Sequence, residues 1–246
     1  MGKGRPAPTA IYDARAFRLG AVSLNVFYDE IKKLPGSPLL HPLSEANTLR
    51  YQVCLYAISV ARSATEIGEG AQRAWFGGQF LAASVLIRVL LELWGAMEYA
   101  EQRVLRKIEE PDLTVADARI LKLLAGSNTG VTHNPAVRVE VSPVNVMEFV
   151  RSADAAVSGV IDEYKFLCDA AHPSFMPGSH LLFAGAIYDN WTNGTFAKNM
   201  HPVLERTLKA GEAGLAGIER TGMAILARCI PPIHEEVRSW PPRTLP

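Results

Sequence analysis

"FLAASVLIRVLLELWGAMEY", residues 80–99, is the stretch whose reading decides the fold. It is almost continuously apolar and long enough to cross a bilayer. Arg88 stands near its middle, with Glu92 one turn later. Each such charge costs about 2.5–3.5 kcal/mol at a bilayer centre, so the stretch reads as the buried helix of a soluble bundle and not as a membrane span. Ser84, Arg88 and Glu92 recur at every fourth position and draw one polar line along this apolar cylinder. Two chemistries fit that line. Arg88 and Glu92 form an ion pair that fixes helix register. Alternatively, the line faces a cleft where Arg88 binds an anionic or planar group and Glu92 acts as base or ligand.

Outward from this helix the pattern remains helical. In 45–70 the apolar residues Leu49, Val53, Tyr56, Val60, Ala64 and Ile67 advance by three or four, the spacing of one helical face. Gly77 and Gly78 separate that helix from the apolar one. "AEQRVLRKIEE" continues the apolar helix in charged form to Pro111, and this half is predicted to leave the core for water. Thr114 with Asp117 resembles a capping box opening a short helix that Gly126 closes. Ser142-Pro143 reads as the N-cap and first turn of a long helix. Its apolar positions Val146, Phe149, Ala153, Val157, Val160, Tyr164, Leu167 and Ala171 run to His172. A last helix from about Pro202 to Cys229 carries four internal glycines, which weaken it or permit close packing.

A further helix is expected at 14–33, a short strand in "VRVEV" at 137–141, and a structured loop or small hairpin in 173–199, between the last two long helices. Residues 1–10 and 231–246 are proline-rich and are expected to be extended tails. The expectation is an all-α, single-domain bundle of five or six helices spanning 1–246, with no internal repeat.

Composition narrows the function classes. Twenty-five basic residues balance twenty-five acidic ones, so the overall charge of a nucleic-acid binder is missing and RNA binding gains no support from it. Cys54, Cys168 and Cys229 are odd in number, far apart in sequence and free of CxxC spacing, which fits a reducing cytoplasm better than a disulfide framework or a zinc knuckle. No apolar segment follows the basic start, so no signal peptide is expected, and "NWT" and "NGT" are read as chance glycosylation matches. No membrane association is expected.

Polar residues also line the second long helix. Tyr164, Cys168 and His172 recur every fourth position. A histidine at a helix C-terminus has its charged form favoured by the macrodipole, and Pro173 turns the chain away from it. His172 is thus either a cap or a displayed acid–base group, with the Ser174 hydroxyl beside it. His41, His172 and His201 each precede a proline, and His133 stands near another, but HExxH-type spacing is absent and no metal is expected. Phosphate-binding glycine loops, the GxSxG elbow and kinase signatures are also absent, and no cofactor is expected.

A helix carrying "LIRVLLELW" followed by a long helix ending "YKFLCDAAHPS" resembles a family of uncharacterised bacterial helical proteins. In these an Arg-x-x-x-Glu helix precedes a Tyr-rich helix ending His-Pro-Ser. That family looks distantly like the HEPN superfamily, whose active members are ribonucleases or toxins of defence systems, and the likeness covers about residues 45–175. It implies phosphate binding by Arg88, proton transfer by His172 and orientation by Glu92. Active HEPN ribonucleases carry an arginine and a histidine four to six residues apart near a helix end. No arginine lies in the six residues before His172. Arg228 and His234 have five residues between them, and two of these are prolines expected to break the helix.

Three functional readings follow. The first is a soluble cytoplasmic protein binding a small or nucleotide-like ligand in a polar cleft. Arg88, Glu92 and His172 would be its reactive groups, and Ser84, Tyr164 and Ser174 its ligand contacts. The second is a HEPN-like ribonuclease or toxin. The third is a structural or regulatory homodimer in which the apolar helix packs across a twofold axis.

Overall fold

The apolar stretch lies at the centre of the bundle. In the computed structural model, residues 43–125, 144–171 and 195–240 are described. Among them six helices and no strand are found, the all-α class expected. They are α1 (Glu45–Phe76), α2 (Phe80–Ile108), α3 (Thr114–Ala125), α4 (Val146–Ala156), α5 (Val160–Ala171) and α6 (Thr195–Arg238). The helix expected at 14–33, the strand at 137–141, the tail 1–10 and residues 173–194 of the expected loop lie outside the described residues.

Helices α1, α4, α5 and α6 all pack against α2. Ile87, Leu90, Leu91, Trp94 and Met97 are at most 1% exposed, and burial of each stabilises the fold by about 1.5–3 kcal/mol. By length and composition α2 passes the test for a membrane-crossing helix, with 56% of its apolar window buried inside the protein.

Three glycines of α6 let it lie close along α2. Gly211 faces Ile87, Gly214 faces Leu90, and a Cβ on Gly217 would stand 2.3 Å from the Trp94 ring. Gly95 of α2 is similarly required, because a Cβ there would meet the Phe149 carbonyl oxygen of α4 at 2.3 Å.

Some local expectations change. The helix predicted from Val146 to Ala171 is two helices, α4 and α5, broken at Gly159 with φ 101°. The Asp154 carboxylate accepts from the backbone N–H groups of Gly159 at 2.9 Å and Ile161 at 3.1 Å, capping the new helix start. Asn145 caps α4, its side chain accepting from Met147 N at 2.8 Å, and the expected cap Ser142 lies outside the described residues. At α3 the backbone N–H of Thr114 donates to Asp112 at 2.9 Å. The charged half of α2 does not leave the core. Its Val104, Leu105 and Ile108 are buried, and Ala100–Leu105 is wound as a π-helical turn.

The extended tail expected from residue 231 is instead helical as far as Arg238. Pro231 and Pro232 lack N–H groups, so the Ala227 and Arg228 carbonyls lose their helical donors. Contacts to the start of α1 hold the segment. Asn47 Nδ2 donates to the Pro232 carbonyl at 3.2 Å, and the Ser44 N–H and hydroxyl donate to the Glu236 carboxylate at 2.5 and 2.6 Å.

Candidate functional site

Three of the residues singled out by sequence come together between α2 and α5. Arg88 Nε lies 3.4 Å from Glu92 Oε1, and the Tyr164 hydroxyl donates to that same oxygen at 2.9 Å. Arg88 Nε is buried and lacks hydrogen-bond geometry to any described acceptor. Burial, then the Glu92 carboxylate and Cys168, push the Tyr164 hydroxyl well above its ordinary range, so it stays protonated and serves as a donor. Ser84 does not join them. It is fully buried, and its hydroxyl donates to the Phe80 carbonyl of its own helix at 2.9 Å. His172 and Ser174 lie outside the described residues.

A second constellation, absent from the sequence expectations, is built around the π-helical turn of α2. Tyr99, Gln102 and Arg103 of α2, Arg119 of α3, and Glu148, Arg151, Ser152 and Ala155 of α4 line a cleft of about 420 Å³. Ligand sites of small molecules fall in this size range. Its floor is Tyr99 and Ser152, both buried, and its rim is the charged groups. Arg119 Nη1 donates to the Arg103 carbonyl at 2.7 Å, which ties α3 to α2 and orients the remaining guanidinium donors. Burial raises the Tyr99 hydroxyl pKa most; Arg119 lowers it, Glu148 raises it and Arg103 lowers it, with a net upward shift. Tyr99 is therefore a neutral donor flanked by these three charged groups. Among the described residues, Arg103, Arg151 and Glu148 have no ion-pair partner, although they line one cleft.

Each half of the cleft's lining does leave a signal on its own helix. Glu148, Arg151, Ser152 and Ala155 fall at i, i+3, i+4 and i+7, a polar stripe beside the apolar one that defined the helix. Tyr99, Gln102 and Arg103 repeat the same spacing on α2. What sequence does not give is that the two stripes and Arg119 face one another.

Other polar clusters are closed. Buried Glu98 accepts from Trp94 Nε1 at 3.0 Å, Gln102 Nε2 at 3.0 Å and Thr221 Oγ1 at 2.6 Å, and Arg220 lies 3.4 Å away over the Trp94 ring. Arg228 is held by Glu101 and by Glu109. The helix continues through Pro231 and Pro232, so the expected break between Arg228 and His234 is not there. Six residues on a helix place the two about 120° apart around its axis. Cys54 and Cys229, distant in sequence, are both fully buried, and the neighbouring Cys229 thiol followed by burial suppresses thiolate formation at Cys54. No three His, Cys, Asp or Glu side chains gather as metal ligands among the described residues.

Comparison of the chain with protein-family models, curated proteins and solved structures returned no match.

Proposed function

We propose that this is a cytoplasmic helical protein that binds a small anionic, nucleotide-like ligand in the Arg103–Arg119–Arg151 cleft. One observation carries the reading: three guanidinium groups from three helices surround one cleft without a carboxylate partner among the described residues. Elsewhere on the same protein Arg62, Arg73, Arg206, Arg220 and Arg228 each lie beside a carboxylate. Guanidinium groups bind phosphate and carboxylate oxygens in a bidentate fork, and Tyr99 adds a neutral donor. The chemistry supported is binding and orientation of an anion. Helix α2 is read as a core helix, and its Arg88–Glu92–Tyr164 relay as the pair that sets how α5 docks on it. The ribonuclease reading, which places phosphate on Arg88, has less support, since Arg88 lies beside the Glu92 carboxylate.

Titration calorimetry with a nucleoside 5′-monophosphate tests the reading. Saturable binding that weakens with added salt is expected. Arg151→Gln, which removes no contact within the protein among the described residues, should weaken it at least tenfold, because a hydrogen bond to a charged group contributes about 1.5–3 kcal/mol. Absence of binding, or binding unchanged in Arg151→Gln and Arg103→Gln, overturns it.

A further inference from the structure

The cleft that holds the arginines also offers acceptors. Gln102 spends its Nε2 hydrogens on Glu98 Oε2 at 3.0 Å and on the Ser152 carbonyl at 3.2 Å. Both partners are acceptors, so chemistry fixes the amide orientation and leaves Oε1 as the free end. Ser152 donates its only hydroxyl hydrogen to the Glu148 carbonyl at 3.0 Å, leaving lone pairs. The Glu148 carboxylate has no donor among the described residues. One cleft therefore presents both cationic donors, from Arg103, Arg119 and Arg151, and acceptors, from Glu148, Gln102 and Ser152.

A plain anion satisfies only half of this arrangement and meets repulsion from Glu148. A ligand that joins an anionic group to several hydroxyls satisfies both halves, because adjacent hydroxyls donate to a carboxylate in pairs while the anion takes the guanidinium forks. Resting on the anion-binding reading, we propose that the ligand is a phosphorylated sugar, free or as the ribose phosphate of a mononucleotide. Its phosphate lies on the three arginines and its hydroxyls on the acceptors of Glu148, Gln102 and Ser152. The cleft volume, about 420 Å³, accommodates one such unit.

Calorimetry with ribose 5-phosphate and propyl phosphate, which share the phosphate but not the hydroxyls, tests this in the wild type and in Glu148→Ala. Ribose 5-phosphate should bind the wild type at least tenfold more tightly. Glu148→Ala should weaken ribose 5-phosphate and strengthen propyl phosphate, since it removes a hydroxyl acceptor and a repelling charge together. Loss of fold would move both ligands the same way, and a melting curve of the variant monitors it. Equal affinities in the wild type, with both ligands tightened in Glu148→Ala, overturn the sugar assignment and leave the anion site standing. Failure of both phosphates to bind the wild type removes the anion site as well. If ribose 5-phosphate binds as proposed, adenosine 5′-monophosphate added as a third ligand distinguishes a free sugar phosphate from a mononucleotide.

Discussion

Glu98 and Glu148 are both carboxylates beside arginines, and their surroundings assign them opposite roles. Glu98 is 6% exposed and has its oxygens occupied by Trp94, Gln102 and Thr221, as a buried charge must. Replacing it with alanine leaves the Trp94 N–H unpaired beside a cavity. The denaturation midpoint should drop by the equivalent of about 2–4 kcal/mol, measured by urea unfolding. Glu148 is exposed and bonds through its backbone and not its side chain among the described residues, so Glu148→Ala should change that midpoint by less than about 1 kcal/mol. At this scale the sequence is informative about spacing and silent about partners. The i,i+4 pairing of Arg88 with Glu92 was legible, and the Tyr164 hydroxyl as a third member was not, because it arrives from another helix. Ser84 shared the same polar line, yet a serine inside a helix can return its hydroxyl to the carbonyl four residues back, as this one does.

Periodicity found the helices, since each apolar stripe recorded packing on α2, and it failed where packing continues across a break. Val157 and Val160 keep the three-and-four stepping of the predicted 146–171 helix, although the chain turns between them at Gly159. An alanine at Gly159 meets no atom within 4 Å, so its cost is backbone conformation at φ 101°. Gly159→Ala should destabilise by about 1 kcal/mol or more in a thermal melt. Gly217→Ala carries a steric cost instead, with its Cβ 2.3 Å from the Trp94 ring, and about 1–3 kcal/mol or more is expected. If Gly217→Ala melted like the wild type, the close approach of α6 to α2 would be wrong. The Pro231-Pro232 reading erred in the opposite direction. Local propensity favoured a break, and bonds from Ser44 and Asn47 to the end of α6 outweigh it.

Over the whole molecule, all-α class and a central 80–99 helix were legible, whereas the cleft was not, because it joins Tyr99, Arg119 and Arg151 from helices separated in sequence. The α1–α6 clasp is likewise a long-range feature and gives the fold a pH dependence. Burial pushes the Glu236 carboxyl up, but the bonds from Ser44 and Asn47 and the charge of Arg50 together hold it below its ordinary range. A depressed folded pKa means stability that is present above the unfolded value, about 4.3, and is lost as pH falls through the folded one. Wild type should therefore exceed Glu236→Gln in urea stability at neutral pH, and the difference should shrink below about pH 5. A difference independent of pH would exclude an ionised clasp. The most direct test of the anion site is a crystal structure of the protein with ribose 5-phosphate. The account predicts phosphate oxygens about 2.7–2.9 Å from the guanidinium nitrogens of Arg103, Arg119 and Arg151. A phosphate bound at Arg88 instead, or anywhere else with solvent alone in the cleft, would contradict it.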